Sequence, residues 1–161
     1  MKFSELEGAF KARNGTRFGP ASSAQISDAE KQLNVEFTEG LREYLRIFGW
    51  LELGHLEFFG LGPGVPGHLD LVRMTLSERH EVNCPVPVAL IPLLNDGAGN
   101  LLCVDTKRES PTYKSILFWD HDMGADQTPS VWAPDIETWL TECFVLVEDV
   151  AKRFAEEDAA K

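Results

Sequence analysis

Asn95-Asp96-Gly97-Ala98-Gly99-Asn100 lies between two apolar runs, Val88 to Leu94 and Leu101 to Val104, and its reading decides the fold. Asp and Gly tolerate positive φ, so the five-residue linker Asn95–Gly99 reads as a hairpin turn. A third apolar run, Ile116 to Trp119, comes after the polar connection 106–114. The three runs predict an antiparallel meander. The third leads into Phe118-Trp119-Asp120-His121-Asp122, so five carboxylates and a histidine fall within 27 residues. Two readings of this cluster are open: a reactive centre, or polar turns at the ends of buried strands.

Outward from the meander, helical signals lie on both sides. Phe3, Leu6 and Phe10 have near-helical spacing over residues 1–12, and Asn14-Gly15 breaks the run. Gly19 to Ser23 reads as a loop. Ser27 and Glu30 fit a capping box, which predicts a short helix to Gln32 or Leu33. Thr38 caps a second helix with Leu41, Leu45 and Phe48 on one face, and Gly49 stands where positive φ ends it. Residues 51–59 alternate partly and predict one or two strands. Gly60 to Gly67 holds four Gly and two Pro, a loop. Leu69 to Arg79 reads as a helix with Leu69, Val72, Leu76 and Met74 inward, and Pro85 and Pro87 prevent regular structure just beyond it. Pro134 opens the longest helix, with Ile136, Leu140, Cys143, Val147, Val150 and Phe154 inward and Trp139 and Phe144 beside them. Residues 155–161 are polar and are expected to fray. The trio Trp119, Trp132 and Trp139 is expected in or near the core.

The 161 residues fit one domain, residues 1–161, of class α+β: a mostly antiparallel sheet packed against N-terminal helices and a long C-terminal helix, the helices covering one sheet face. The net charge of −11 is uneven. Residues 1–34 carry five Lys/Arg against four Asp/Glu, whereas residues 35–161 carry ten against 22. Such a surface repels phosphate backbones and disfavours direct nucleic-acid binding. It favours fast encounter with a basic partner; simple solubility explains it equally well. Cys84, Cys103 and Cys143 are odd in number and widely spaced, fitting neither a disulfide framework nor a zinc site, but fitting buried free thiols in a reducing compartment. The N-terminus lacks a signal-peptide pattern and no run approaches a membrane span, so a cytoplasmic location without membrane contact is expected.

The chemistry-bearing residues do not assemble a known motif. With Asp96 as position one of a calcium loop, position six is Leu101 and position twelve is Lys107, where such loops need Gly and Glu. Asp120 and Asp122 would project to one face of a strand and His121 to the other. No Gly-x-Ser-x-Gly or His-Glu-x-x-His is present, and His55, His68, His80 and His121 are scattered. Loop 60–67 lacks the Lys-Ser/Thr ending of a phosphate cradle. No catalytic residue, metal or cofactor is therefore assigned; a metal-dependent hydrolase on the Asp/His cluster ranks third among the functions.

The ordered set of Ile26, Ala29, Glu30 and Leu33, then Leu41 to Phe48 with Gly49, Val88 to Leu94, Asp96-Gly97-x-Gly99-Asn100, Cys103-x-Asp105, Phe118 to Asp122, and Ile136-Glu137-x-Trp139-Leu140 resembles the SUKH superfamily (Smi/Knr domain). The resemblance is strongest over residues 23–143. Phe37-Thr38 stands where many members have Leu-Pro, and the helix after Cys143 runs longer than in the family pattern. The resemblance implies a non-enzymatic α+β binding domain. Bacterial members typically act as immunity proteins that bind a cognate toxin domain, often a nuclease or deaminase; eukaryotic members act as regulators and scaffolds.

The implied partner is thus a toxin domain, met by a monomer or weak homodimer, with a regulatory scaffold as the alternative. Glu52, Glu57, Asp70, Asp122 and Asp126 are the candidate partner contacts, on predicted loops and strand ends. Gly49, Asp96, Gly97, Gly99, Asn100, Asp105, Trp119, Asp120 and Trp139 read as structural markers of the family.

Overall fold

The computed structural model describes residues 1–161. Five α-helices and seven strands follow one another along the chain: α1 (Phe3–Ala12), β1 (Arg17–Phe18), α2 (Ser23–Leu33), α3 (Glu39–Ile47), β2 (Leu51–Leu53), β3 (Leu56–Phe58), α4 (Leu71–His80), β4 (Leu90–Asn95), β5 (Leu101–Asp105), β6 (Ile116–Trp119), β7 (Ser130–Ala133) and α5 (Ile136–Ala159). The strands form one sheet in the order β1-β2-β3-β4-β5-β6-β7, and every ladder between them is antiparallel. The fold is α+β, as expected; β2 and β3 fall within 51–59 and β4 to β6 on the three apolar runs, as predicted, while β1 and β7 are additional. β1 has only two residues, and β7 is four residues long, short against the runs that mark β4 and β5.

The cap of α2 is Ser22, not Ser27. The Ser22 side chain accepts from the Gln25 amide, and Gln25 returns a bond to the Ser22 amide. This earlier start brings Ile26, Ala29 and Leu33 onto one buried stripe. Thr38 caps α3 as read, accepting from the Leu41 amide. In α4, Leu71 and Thr75 are the fully covered residues, while Val72, Met74 and Leu76 lie half-buried against the core. Strand β4 begins at Leu90 rather than Val88, which is exposed. Pro92 is tolerated inside β4 because the register slips between Pro92 and Leu94.

Helices cover both faces of the sheet, not one. All five residues of β5 are buried, which requires cover above and below. Leu102 points toward α5. Cys103 points the other way, toward Glu78 of α4, and burial there pushes its thiol pKa up. The three cysteines are free and buried. Arg79 fastens the α4 side: its guanidinium donates to the Leu33 carbonyl and to the Val88 carbonyl, both at 2.7 Å.

Phe48 is the hub of the α1–α3 core, with the rings of Phe3, Phe10, Phe18 and Tyr44 at 6.3, 5.1, 5.8 and 6.0 Å. Phe10 extends the cluster to Phe144 of α5 at 5.7 Å. Beside this hub three backbone segments cross in contact. The Gly49 carbonyl accepts from the Leu61 amide and the Phe48 carbonyl from the Gly19 amide. Gly49 has φ +66°, and a Cβ there would lie 2.7 Å from the Gly19 carbonyl carbon; a Cβ on Gly60 would lie 2.7 Å from the Trp50 Cα.

Helix α5 begins two residues after β7. Asp135 caps it by accepting from the Thr138 amide. Ile136, Trp139, Leu140, Cys143 and Val147 are buried. The inward stripe ends there: Val150 is half-buried and Phe154 is exposed. The stretch expected to fray is helical to Ala159, with every side chain after Val150 exposed.

Candidate functional site: the acidic turns and the groove beside α5

The two stretches that open the chemical question are joined by one side chain. Asp96 Oδ1 accepts from the amides of Ala98 and Asn100, and Oδ2 accepts from the Asn100 side-chain amide at 2.8 Å. Asn100 Oδ1 in turn accepts from the His121 amide at 3.3 Å and lies 2.9 Å from the His121 ring nitrogen Nδ1. Gly99 leaves room for that ring, since a Cβ there would meet it at 3.2 Å. The β4–β5 turn and the end of β6 therefore form one polar knot, in which Asp96 is a turn former.

Asp120 Oδ1 accepts from the Asp122 amide, and Gln127 grips the loop from the other side through the Asp120 amide and the carbonyls of Asp120 and Gly124. One ligand atom each from Asp120, His121 and Asp122 lies within 4.8 Å of the others. His121 and Asp122 are open to solvent, and Asp120 is held by its own loop.

Partial desolvation pushes the Asp96 carboxyl up. The bonds from the Asn100 side chain and the Ala98 and Asn100 amides, with the nearby His121, outweigh it and hold the group below the ordinary aspartate value. A depressed folded-state pKa stabilises above the unfolded value, near 3.8, and the contribution is lost as pH falls through the lower folded value. Asp96→Asn should therefore cost about 0.5–1 kcal/mol at pH 7, kept small by solvent screening. Urea titrations at pH 7 and pH 3 should show that gap closing in acid; a pH-independent gap would mean the charge of Asp96 is irrelevant to the turn.

The other marker residues are tied into the fold by bonds or burial. Asp105 is buried, accepting from the Lys107 amide and the Thr112 hydroxyl. Trp119 and Trp139 are buried, Trp139 edge-on to Phe58 at 5.2 Å. Gly97 has φ +85°.

The five expected partner contacts do not converge. Asp70 caps α4 by accepting from the Arg73 amide. Glu52 is largely covered and pairs with Arg17 at 3.1 Å. Glu57 stands opposite Glu52 in the β2–β3 ladder and lies 3.2 Å from His68. Asp122 and Asp126 are exposed on the loop after β6, away from the β2–β3 hairpin in the sheet order.

A second feature escapes the sequence. Phe58, Leu94, Leu102, Phe118 and Ser130 are register partners in one row across β3 to β7. Side chains of such a row share one face. Phe58, Leu94 and Leu102 are buried, Phe118 is half-buried and Ser130 is exposed. Cover by α5 therefore fades toward β7 and leaves a groove of about 580 Å³, floored by Leu94, Leu102, Phe118, Trp132, Trp139 and Leu146. Trp132, expected in or near the core, is 57% exposed and leans on Phe118 at 5.8 Å. The sequence signal for it is Pro129-Ser130-Val131-Trp132-Ala133-Pro134, a strand-length segment bounded by prolines. A groove of similar size between α2 and α4 is more polar.

The SUKH_5 family model, described as SMI1-KNR4 cell-wall, matches residues 4–145. The chain belongs to the SUKH superfamily. A solved structure, described as a protein from Pseudomonas syringae pv. tomato, shares the fold of this SUKH chain with a TM-score of 0.63 and 20% identity, over 85% of this chain and 94% of that one. No curated protein matches the chain. The match to the SUKH model ends within α5, so residues 146–161 lie beyond it. No helix is long and apolar enough to cross a membrane.

Proposed function

We propose that the chain is an immunity protein, one that binds a cognate toxin domain and blocks it by covering its working surface. The supporting observation is charge: in a SUKH protein, a family associated with binding toxin partners, residues 35–161 carry ten Lys/Arg against 22 Asp/Glu. A nuclease must hold phosphates and so presents a basic cleft, and a basic deaminase would meet the same surface. An acidic inhibitor is drawn to such a cleft and finds it quickly. On this reading the protein works in the cytoplasm as a monomer or weak homodimer and by binding alone, without metal or cofactor.

Where the adjoining gene encodes a large secreted protein, co-expression with its C-terminal domain should restore growth to that of a toxin-free control. No rescue and no complex on size-exclusion chromatography would remove the immunity reading. The matching model's cell-wall description favours a regulatory interaction module as the second reading. Tight stoichiometric uptake of calcium, magnesium, manganese or zinc, lost in Asp122→Asn, would instead revive a metal-dependent hydrolase at Asp120, His121 and Asp122.

A further inference from the structure

We infer that the groove between α5 and the β5–β7 end of the sheet is the docking site for a basic partner segment carrying a large apolar side chain. The inference rests on the immunity reading for the identity of the partner, a toxin domain, and on the groove for its chemistry. The floor is apolar, and the side chains around it include Glu57, Asp96 and Glu142 with no Lys or Arg. An aliphatic or aromatic anchor fits the floor, and Lys or Arg beside it meets the carboxylates. Trp132 stands half out of the protein on an edge strand, where a large ring loses solvent only when something covers it. Leu146, also about half exposed, faces the same groove from α5. A second copy of this chain is the poorer occupant, because it would bring two acidic rims together between molecules of net charge −11.

Two measurements separate this inference from the function it rests on. The first is calorimetric affinity for the purified toxin domain. Trp132→Ala and Leu146→Glu should each weaken binding at least about tenfold. Glu142→Lys should weaken it about three- to tenfold, less at high salt. Glu39→Lys, an exposed reversal on α3, should stay within about twofold. Both replaced apolar side chains are at least half exposed, so the variants should fold, and unchanged far-UV circular dichroism checks this.

The second is the amide NMR spectrum with two probes, acetyl-Lys-Leu-Phe-Lys-amide and its Glu-flanked counterpart. The Lys peptide should shift the amides of Leu56, Leu102, Trp132 and Leu146, and the Glu peptide should not. Toxin binding indifferent to Trp132→Ala and Leu146→Glu would overturn the groove and leave the immunity function standing. Groove shifts with the Lys peptide, but no toxin binding, would support the groove and remove the immunity reading. A second copy as occupant would appear as dimerisation abolished by Leu146→Glu and would also overturn the inference. Neither toxin binding nor peptide shifts would do the same.

Discussion

Gly49→Ala should cost the fold at least about 3 kcal/mol, seen as a lowered urea midpoint or as insoluble protein. Two penalties act together. Gly49 has φ +66°, where an L-residue is strained. The added methyl would also fall between the Gly19 and Leu61 carbonyls, which are backbone atoms and cannot rotate aside. Gly49→Asn separates the two. Asparagine accepts the left-handed region at modest cost, as Asn34 does in this chain at φ +54°. If strain alone mattered, Asn would be nearly tolerated. Because the crossing is filled by backbone, Asn should be as damaging as Ala; a mild Asn variant would show that the segments can part. Gly60→Ala should also be damaging, through the clash alone, since its Cβ would press on the Gly49 carbonyl and the Trp50 backbone.

Phe48→Ala should cost about 3–5 kcal/mol, a large fraction of the roughly 5–15 kcal/mol that holds a domain folded. Its ring is fully buried and touches aromatic rings from α1, β1 and α3. Those rings come from helices and strands fixed by other contacts, so the cavity cannot close cheaply. Loss of near-ultraviolet circular dichroism should accompany the lowered midpoint, because the asymmetric packing of Phe10 and Tyr44 depends on Phe48. Phe154→Ala, an equal truncation on the exposed end of α5, should change stability by less than about 0.5 kcal/mol. Similar costs at the two positions would place the core elsewhere than the α1–α3 aromatic cluster.

The legible parts of the fold rest on local chemistry. Thr38 as a cap, Gly49 as a stop and Asp96-Gly97 as a turn each report on bonds made within a few residues, and each stands as read. The cap of α2 shifted because Ser22 and Ser27 both satisfy a local capping rule, and burial of Ile26 against distant residues decided between them. The second helix-covered face was hidden because a buried strand reads the same whatever covers it. The candidate site was less legible still. Glu52 and Asp70 are acidic residues in the expected places, yet Arg17 and the α4 amides already occupy them. The groove depends on how far α5 reaches across the sheet, and Phe118, Trp132 and Leu146 meet there only through that tertiary placement.

The strand order has a bearing on how the chain comes together. Each strand is flanked by its immediate neighbours in sequence, so a chain emerging from the ribosome never holds a strand in wait for a partner beyond the next one. The β2–β3, β4–β5, β5–β6 and β6–β7 pairings close short loops at low entropic cost and favour quick assembly, whereas β1–β2 and β3–β4 close over intervening helices. What must wait is α5. The Phe3 amide donates to Glu137, Arg13 pairs with Glu148 at 2.7 Å, and Phe10 meets Phe144. The first helix can pack on α3 through Phe48 beforehand, and the first half of α5 then closes over it.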